Sequence, residues 1–263
     1  MTLELTTIQH LAAESEVATP LLIAHGLFGS ARNFNTLGRG FATDRNVILV
    51  DMRNHGDSPW DDDISYQAMA EDLAQAAIQH AGGKAVILGH SMGGKAAMAL
   101  ALSHPELVHG LIVADIAPQA YEHTHLSYVQ AMRAMDLSAI QRRSQADPML
   151  ADAVSEPAIR SFILQNLVME DGKARWRLNL AALEAGMDDL VGWPEQMDAK
   201  AFGGPTLFLH GGASDYLPEA IKPHAQMLFP NADFFAIPGA GHWLHAENPA
   251  AFQAAVRDFL SAI

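Results

Sequence analysis

The sequence predicts an α/β fold, a mostly parallel central sheet flanked by helices, and three observations carry that reading. Five short apolar runs recur along the chain: Leu21 to Ala24, Val47 to Val50, Ala85 to Leu88, Leu111 to Ala114 and Thr206 to Leu209. Each is rich in branched residues and is closed by glycine, aspartate or histidine. Continuous rather than alternating hydrophobicity marks strands buried on both faces of a parallel sheet. Between the runs lie segments of helical length and period, so the chain reads as repeated strand-helix units. One long stretch, Gln119 to Gly204, departs from this alternation.

In chain order, Leu21 to Ala24 reads as the first convincing strand and gives way to His25-Gly26-Leu27-Phe28-Gly29. The strand Val47 to Val50 ends at Asp51, which opens the turn Asp51-Met52-Arg53-Asn54-His55-Gly56. Tyr66 to Ala81 is amphipathic, with Ser65 as its N-cap and Gly82-Gly83 as its stop. Ala85 to Leu88 is a strand that runs into Gly89-His90-Ser91-Met92-Gly93, and the small-residue segment Lys95 to Leu102 behind it reads as a helix. Leu111 to Ala114 ends at Asp115. Residues 119–204 show helical patterning, as in Leu126 to Met135 and Ala158 to Leu167, and no convincing strand, which predicts an inserted cap or lid. Thr206 to Leu209 returns to the sheet, Gly211 to Asp215 follows it, and Phe234 to Ile237 is the last strand. The expected organisation is a core of residues 1–118 and 205–263 with a cap of residues 119–204.

Composition narrows the function. The chain has 263 residues, enough for a sizeable core, with 49% hydrophobic and 17% charged residues. A formal charge of −14 repels phosphate backbones and anionic lipid, so no nucleic-acid partner is expected. The absence of cysteine excludes disulfides, a thiolate nucleophile and a cysteine zinc site. It fits a reducing compartment, with the cytoplasm as the default. Neither a secretory leader nor a membrane-spanning run is legible at Met1 to Ile8 or beyond.

The chemistry is carried by Gly89-His90-Ser91-Met92-Gly93, a G-x-S-x-G between strand and helix. Ser91 could simply cap the helix. In a nucleophile elbow, however, the serine sits in a strained turn that only small neighbours tolerate, with its hydroxyl displayed at the helix N-terminus. Such a hydroxyl needs a base, and Pro238-Gly239-Ala240-Gly241-His242 supplies one late in the chain, with His242 preferred over His245 because it directly follows the glycine loop. The base needs an orienting acid. Asp115 and Asp215 both follow strands and either could supply it. The amide of Met92 and that of Leu27 could hold a developing oxyanion. Trp243 beside the base could wall an acyl pocket, and Arg53 could brace loops or meet an acidic acyl group. His123 and His125, alternating in a polar loop, read as surface residues, and neither metal nor cofactor is expected.

These motifs in this order resemble the α/β-hydrolase superfamily. His25-Gly26-Leu27-Phe28-Gly29-Ser30, the Asp51 to Ser58 turn, Gly89 to Lys95, Asp115-Ile116-Ala117-Pro118 and Ala240-Gly241-His242-Trp243 look like the YbfF-type esterases and their mitochondrial relatives. The resemblance implies an α/β-hydrolase fold with a helical cap inserted after the sixth strand, a nucleophile at Ser91, a base at His242 and an acid at Asp115, with Asp215 as the alternative acid. It implies hydrolysis of short-chain acyl esters, with acyl-CoA thioesters open to the same machinery, and a small-molecule acyl ester or thioester as the substrate partner. A carbon-carbon bond hydrolase with the same residues, and a hydrolase-shaped binding protein with little turnover, are the rival readings.

Overall fold

The computed structural model describes residues 1–12, 18–122 and 124–263; His123 therefore lies outside the described residues. Nine strands are present among them: β1 (Thr7–His10), β2 (Ala18–Ala24), β3 (Arg45–Val50), β4 (Ala85–His90), β5 (Val108–Ala114), β6 (Leu167–Glu170), β7 (Lys173–Trp176), β8 (Thr206–Gly211) and β9 (Ala232–Ile237). Seven form one sheet in the order β1-β3-β2-β4-β5-β8-β9. Only β1 runs antiparallel, against β3; every other neighbouring pair is parallel. The five apolar runs are the five inner strands, where Leu21, Leu22, Val47, Leu49, Ile87 and Ile112 have at most 1% of their surface exposed.

Helices cover both faces. Tyr66–His80 and Met92–Ser103 bury one side, and Asn35–Phe41 and Pro249–Ala262 bury the other. The first of these begins as its sequence demands, with Ser65 Oγ accepting from the Ala68 amide at 3.2 Å. It ends in Gly82 and Gly83 at φ of +70° and +94°. The parallel strands all point their C-terminal ends the same way. The loops after β2, β4, β5, β8 and β9 therefore meet along one edge, where open α/β sheets hold their ligands.

The long insertion opens after β5, the strand that leads into Asp115. One expectation needs correction, because the insertion is not free of strands: β6 and β7 form an antiparallel hairpin, closed by Asp171 and Gly172 at φ of +50° and +75°. Both central residues of such a two-residue turn need positive φ, and Asp-Gly is a pair that permits it. That dipeptide sits in the sequence between two short, half-polar strands whose pattern is too brief to register.

Candidate active site

Ser91 lies between β4 and the helix Met92–Ser103 at φ +52°, ψ −118°, and its side chain makes no helix-capping bond. Such a backbone conformation costs a non-glycine residue on the order of 1–3 kcal/mol. Close packing holds it there. A methyl group on Gly89 would sit 2.1 Å from the Gly93 carbonyl oxygen, and one on Gly93 would sit 2.5 Å from that of Ala24. The two glycines of the motif are thus required where the elbow crosses its own helix and β2.

The Ser91 hydroxyl points at His242. Its Oγ lies 3.1 Å from His242 Nε2, while His242 Nδ1 lies 2.8 Å from Asp115 Oδ2. Because an ionised carboxylate only accepts, Nδ1 carries the proton and Nε2 is left to accept one from the serine. Asp115 is fully buried and also accepts from the Gly211 amide at 2.8 Å and from Ser214 Oγ at 2.5 Å. It too has a positive φ, +54°. Asp215 is exposed on the same loop as Ser214, and His242 bonds to Asp115 instead. The loop after β8 thus bonds to Asp115 through Ser214 and a backbone amide. His245 is turned away from Ser91, its ring stacked on Phe34 with centroids 4.5 Å apart.

Further residues fix His242. The Tyr216 ring stacks on its imidazole with centroids 3.9 Å apart, and His90 Nε2–H donates to the His242 carbonyl at 2.9 Å. Glu247 accepts from the amides of Gly241 at 2.6 Å and Trp243 at 3.2 Å, holding the loop that carries His242. None of Ser214, Tyr216 and Glu247 was singled out by the sequence. Each lies within six residues of a motif, but only the fold shows what it contacts.

The loop after β2 faces the elbow, and Leu27 and Met92 both line the cavity beside Ser91. Gly26 to Gly29 form a tight turn, the Gly29 amide donating to the Gly26 carbonyl at 2.9 Å. Phe28, at φ +61°, occupies the third position of that turn, where glycine is the usual residue. His25 Nδ1–H donates to the Gly26 carbonyl at 2.8 Å and its Nε2 accepts from the Met52 amide at 2.9 Å. His55 Nδ1–H donates to the Arg53 carbonyl at 2.9 Å, with Nε2 facing the Phe28 amide at 3.3 Å. Both imidazoles are struts between the loops after β2 and β3, and both must be neutral to accept.

The cavity itself holds about 100 Å³ of free space. The core supplies one wall and the segment after β5 the other, through Tyr121, Tyr128, Phe162 and Leu190 among others. Trp243 also lines it, near Phe162 with centroids 6.2 Å apart. Arg53 does not line it. Its guanidinium is wholly buried in a two-pronged ion pair with Asp72, Nε to Oδ2 at 2.7 Å and Nη2 to Oδ1 at 2.9 Å, and it also donates to the carbonyls of Met1 and Ala68. The planar fork is matched by a carboxylate in the core, which places this arginine away from any ligand. His125 lies in the cavity wall rather than on the surface, stacked on Tyr128 with centroids 5.4 Å apart. Among the described residues, no cluster of histidines and carboxylates could hold a metal ion.

Lys95 is the cation in the cavity wall. It is 1% exposed, and burial pushes its pKa down to about 7. Nζ donates to the carbonyls of Val191, at 2.9 Å, and Gly192, at the end of the short helix Met187–Val191. The Tyr121 ring lies 4.7 Å from it. Tyr66 donates to the preceding carbonyl, Leu190, at 2.6 Å. Lys95 therefore ties the cap wall to the elbow helix. Lys95→Met should leave two carbonyls without their donor, at a cost of about 1–3 kcal/mol. The expected result is a lower Tm and a KM raised several-fold, read by thermal melts and steady-state kinetics.

Acid should destabilise the fold. Burial holds His25 and His245 near a pKa of about 4 and His55 at about 3, and drives His90 well below its ordinary value, helped by the neighbouring His245 and His242. In the unfolded chain these groups take up protons near pH 6.5. Below that pH the unfolded state binds more protons than the folded one, so stability present at neutral pH is lost as pH falls through the window from 6.5 to 4. His25, His55 and His245 each contribute on the order of 2–3 kcal/mol over this window. Tm should accordingly drop by about 10 °C or more between pH 7 and pH 4.5, and a flat profile would contradict the neutral assignment.

With this geometry in view, residues 19–249 match the family model described as the alpha/beta hydrolase fold. The chain belongs to the α/β-hydrolase fold family. It is 42% identical to the sn-1-specific diacylglycerol lipase ABHD11 of Mus musculus, over 92% of this chain and 80% of the relative. Against the esterase YbfF of Escherichia coli K12 it is 39% identical over 92% of this chain and 93% of the relative. A solved structure described as a marine microorganism esterase superposes with a TM-score of 0.91 at 36% identity, covering 98% of this chain and 100% of that one. This α/β-hydrolase is accordingly an enzyme of the esterase and lipase class, of the YbfF type. No helix among the described residues is long and apolar enough to cross a membrane.

Proposed function

We propose that this α/β-hydrolase is a serine carboxylester hydrolase in which Ser91 is the nucleophile, His242 the general base and Asp115 the acid. The observation that carries the proposal is the continuous relay from Ser91 Oγ to His242 Nε2 at 3.1 Å and from His242 Nδ1 to the buried Asp115 at 2.8 Å. His242 takes the hydroxyl proton as Ser91 attacks the acyl carbonyl. Asp115 stabilises the imidazolium without itself taking the proton. The Leu27 and Met92 amides hold the oxyanion, which gains charge only in the transition state. His242 then protonates the leaving oxygen or sulfur, and water activated by the same imidazole releases the acid. No cofactor enters any step.

The substrate is a small acyl ester, with acyl-CoA thioesters as candidates for the same steps. A free volume of about 100 Å³ accommodates a short acyl group beneath the cap and leaves the alcohol or thiol portion outside. Residues 119–204 act as the cap that sets this limit, and Trp243 forms part of the acyl wall. Relatives that include a diacylglycerol lipase favour an oxygen ester as the physiological bond. A panel of p-nitrophenyl esters from acetate to palmitate, with acetyl- and longer acyl-CoAs, tests the reading. Turnover should peak at short chains and fall steeply beyond them; a palmitate optimum would overturn the size argument.

A further inference from the structure

We infer that Asn166, on the cap, is a positioning residue for the oxyanion loop. The inference rests on the reading of Leu27 as an oxyanion donor and goes beyond it, because it makes the cap part of the apparatus that stabilises the transition state.

Asn166 is 4% exposed and closes the short helical turn Leu164–Asn166. Its Nδ2 donates to the Phe28 carbonyl at 2.8 Å and to the Ile163 carbonyl at 3.1 Å, so both amide hydrogens are used. Its backbone carbonyl accepts from the Arg177 amide at 2.9 Å, which ties it to the hairpin of β6 and β7. Phe28 is the residue that needs holding. It is bulky, sits at φ +61° in the turn Gly26 to Gly29, and follows Leu27 directly. In an ordinary turn a side chain at that position relaxes to negative φ, and the peptide joining it to the preceding residue rotates. Two contacts oppose the rotation here. His55 Nε2 faces the Phe28 amide at 3.3 Å from the core side, and Asn166 holds the carbonyl from the cap side. A third contact, Asn33 Nδ2 to Gln165 Oε1 at 3.0 Å, joins the same two segments at the surface.

The core therefore holds the turn at the Gly26 carbonyl through His25 and at the Phe28 amide through His55, and the cap adds the hold on the Phe28 carbonyl. Removing the Asn166 donor frees Phe28, and with it the direction of the Leu27 amide. Phe28 is only one of the many residues that line the cavity, so ground-state binding changes less than the oxyanion contact, which is made only in the transition state.

The test compares Asn166→Ala and Asn166→Leu with wild type on p-nitrophenyl acetate; leucine matches asparagine in size and lacks the donor. The proposal expects kcat to fall about ten- to a hundredfold in both, with KM changed less than about twofold. Phosphonylation of Ser91 by a fluorophosphonate should slow in parallel, since its adduct also places an oxyanion in the hole. Phe28→Gly, which adopts positive φ freely, should recover part of the lost kcat when combined with Asn166→Ala. Should Asn166→Leu fail to fold, the alanine variant and its glycine rescue decide the matter, with thermal melts as the check. A leucine variant within twofold of wild-type kcat, or an unchanged phosphonylation rate, would overturn the inference and leave the nucleophile intact. Activity surviving in Ser91→Ala would instead remove the reading on which it rests.

Discussion

Ser91→Ala is expected to lower kcat on p-nitrophenyl acetate by about 10⁴- to 10⁶-fold while changing the free energy of unfolding by no more than about 0.5 kcal/mol. The two halves of that result belong together. Ser91 makes no capping bond to the helix Met92–Ser103, so its hydroxyl contributes little to the fold. What it touches is His242 Nε2, at 3.1 Å. Alanine keeps the steric demands of the elbow, where the backbone at φ +52° is held by contacts at Gly89 and Gly93 rather than by the serine side chain. A variant that loses activity because it unfolds would reveal a structural serine. A folded variant that has lost activity, with substrate still competing for the cavity, is the outcome that the geometry requires.

The second large effect separates the two aspartates. Asp115→Asn should reduce kcat by about 10⁴-fold, because an amide facing His242 Nδ1 favours the tautomer with its proton on Nε2, where it blocks transfer from Ser91. The substitution also places an amide group against the Gly211 N–H and the Ser214 hydroxyl, which now donate to the carboxylate. Asp215→Asn should stay within about twofold of wild type, in keeping with an exposed side chain on a loop whose useful members are Ser214 and Gly211. Ser214→Ala should lie between them. Steady-state kinetics on the three variants, with thermal melts as controls, would place the acid; equal losses for Asp115→Asn and Asp215→Asn would contradict the assignment.

That pair also shows where the sequence stops being informative. Ser91 is legible because it is bracketed by glycines that a strained, crowded turn demands, and His242 because it directly follows a glycine loop; steric demands leave a pattern. Asp115 and Asp215 both follow strands at the same sheet edge, and a strand-aspartate junction does not say which carboxylate turns inward. The inner strands are legible as continuous apolar runs. β1 is not, because Thr7 to His10 forms a short edge strand that is only partly buried. The hairpin of β6 and β7 turns at Asp171-Gly172, a two-residue signal that the helical periodicity on either side masks.

The turn around Arg53 leaves open whether it braces loops or meets an acyl group, and the pairing that buries it, with Asp72 in the helix Tyr66–His80, depends on tertiary contact. Lys95 and Asn166 were beyond sequence reading for the same reason. Each bonds to backbone carbonyls far along the chain, at Val191 and Phe28, and no local pattern encodes such a partner.

The central claim is that one hydroxyl, Ser91 Oγ, forms the acyl-enzyme. Intact-protein mass spectrometry after exposure to a fluorophosphonate, followed by peptide mapping, tests it most directly. The account predicts one adduct per chain, on the peptide that contains Ser91, with activity falling in proportion to labelling and no adduct on Ser91→Ala. Labelling at another residue, or full turnover by protein that is fully modified at Ser91, would contradict it.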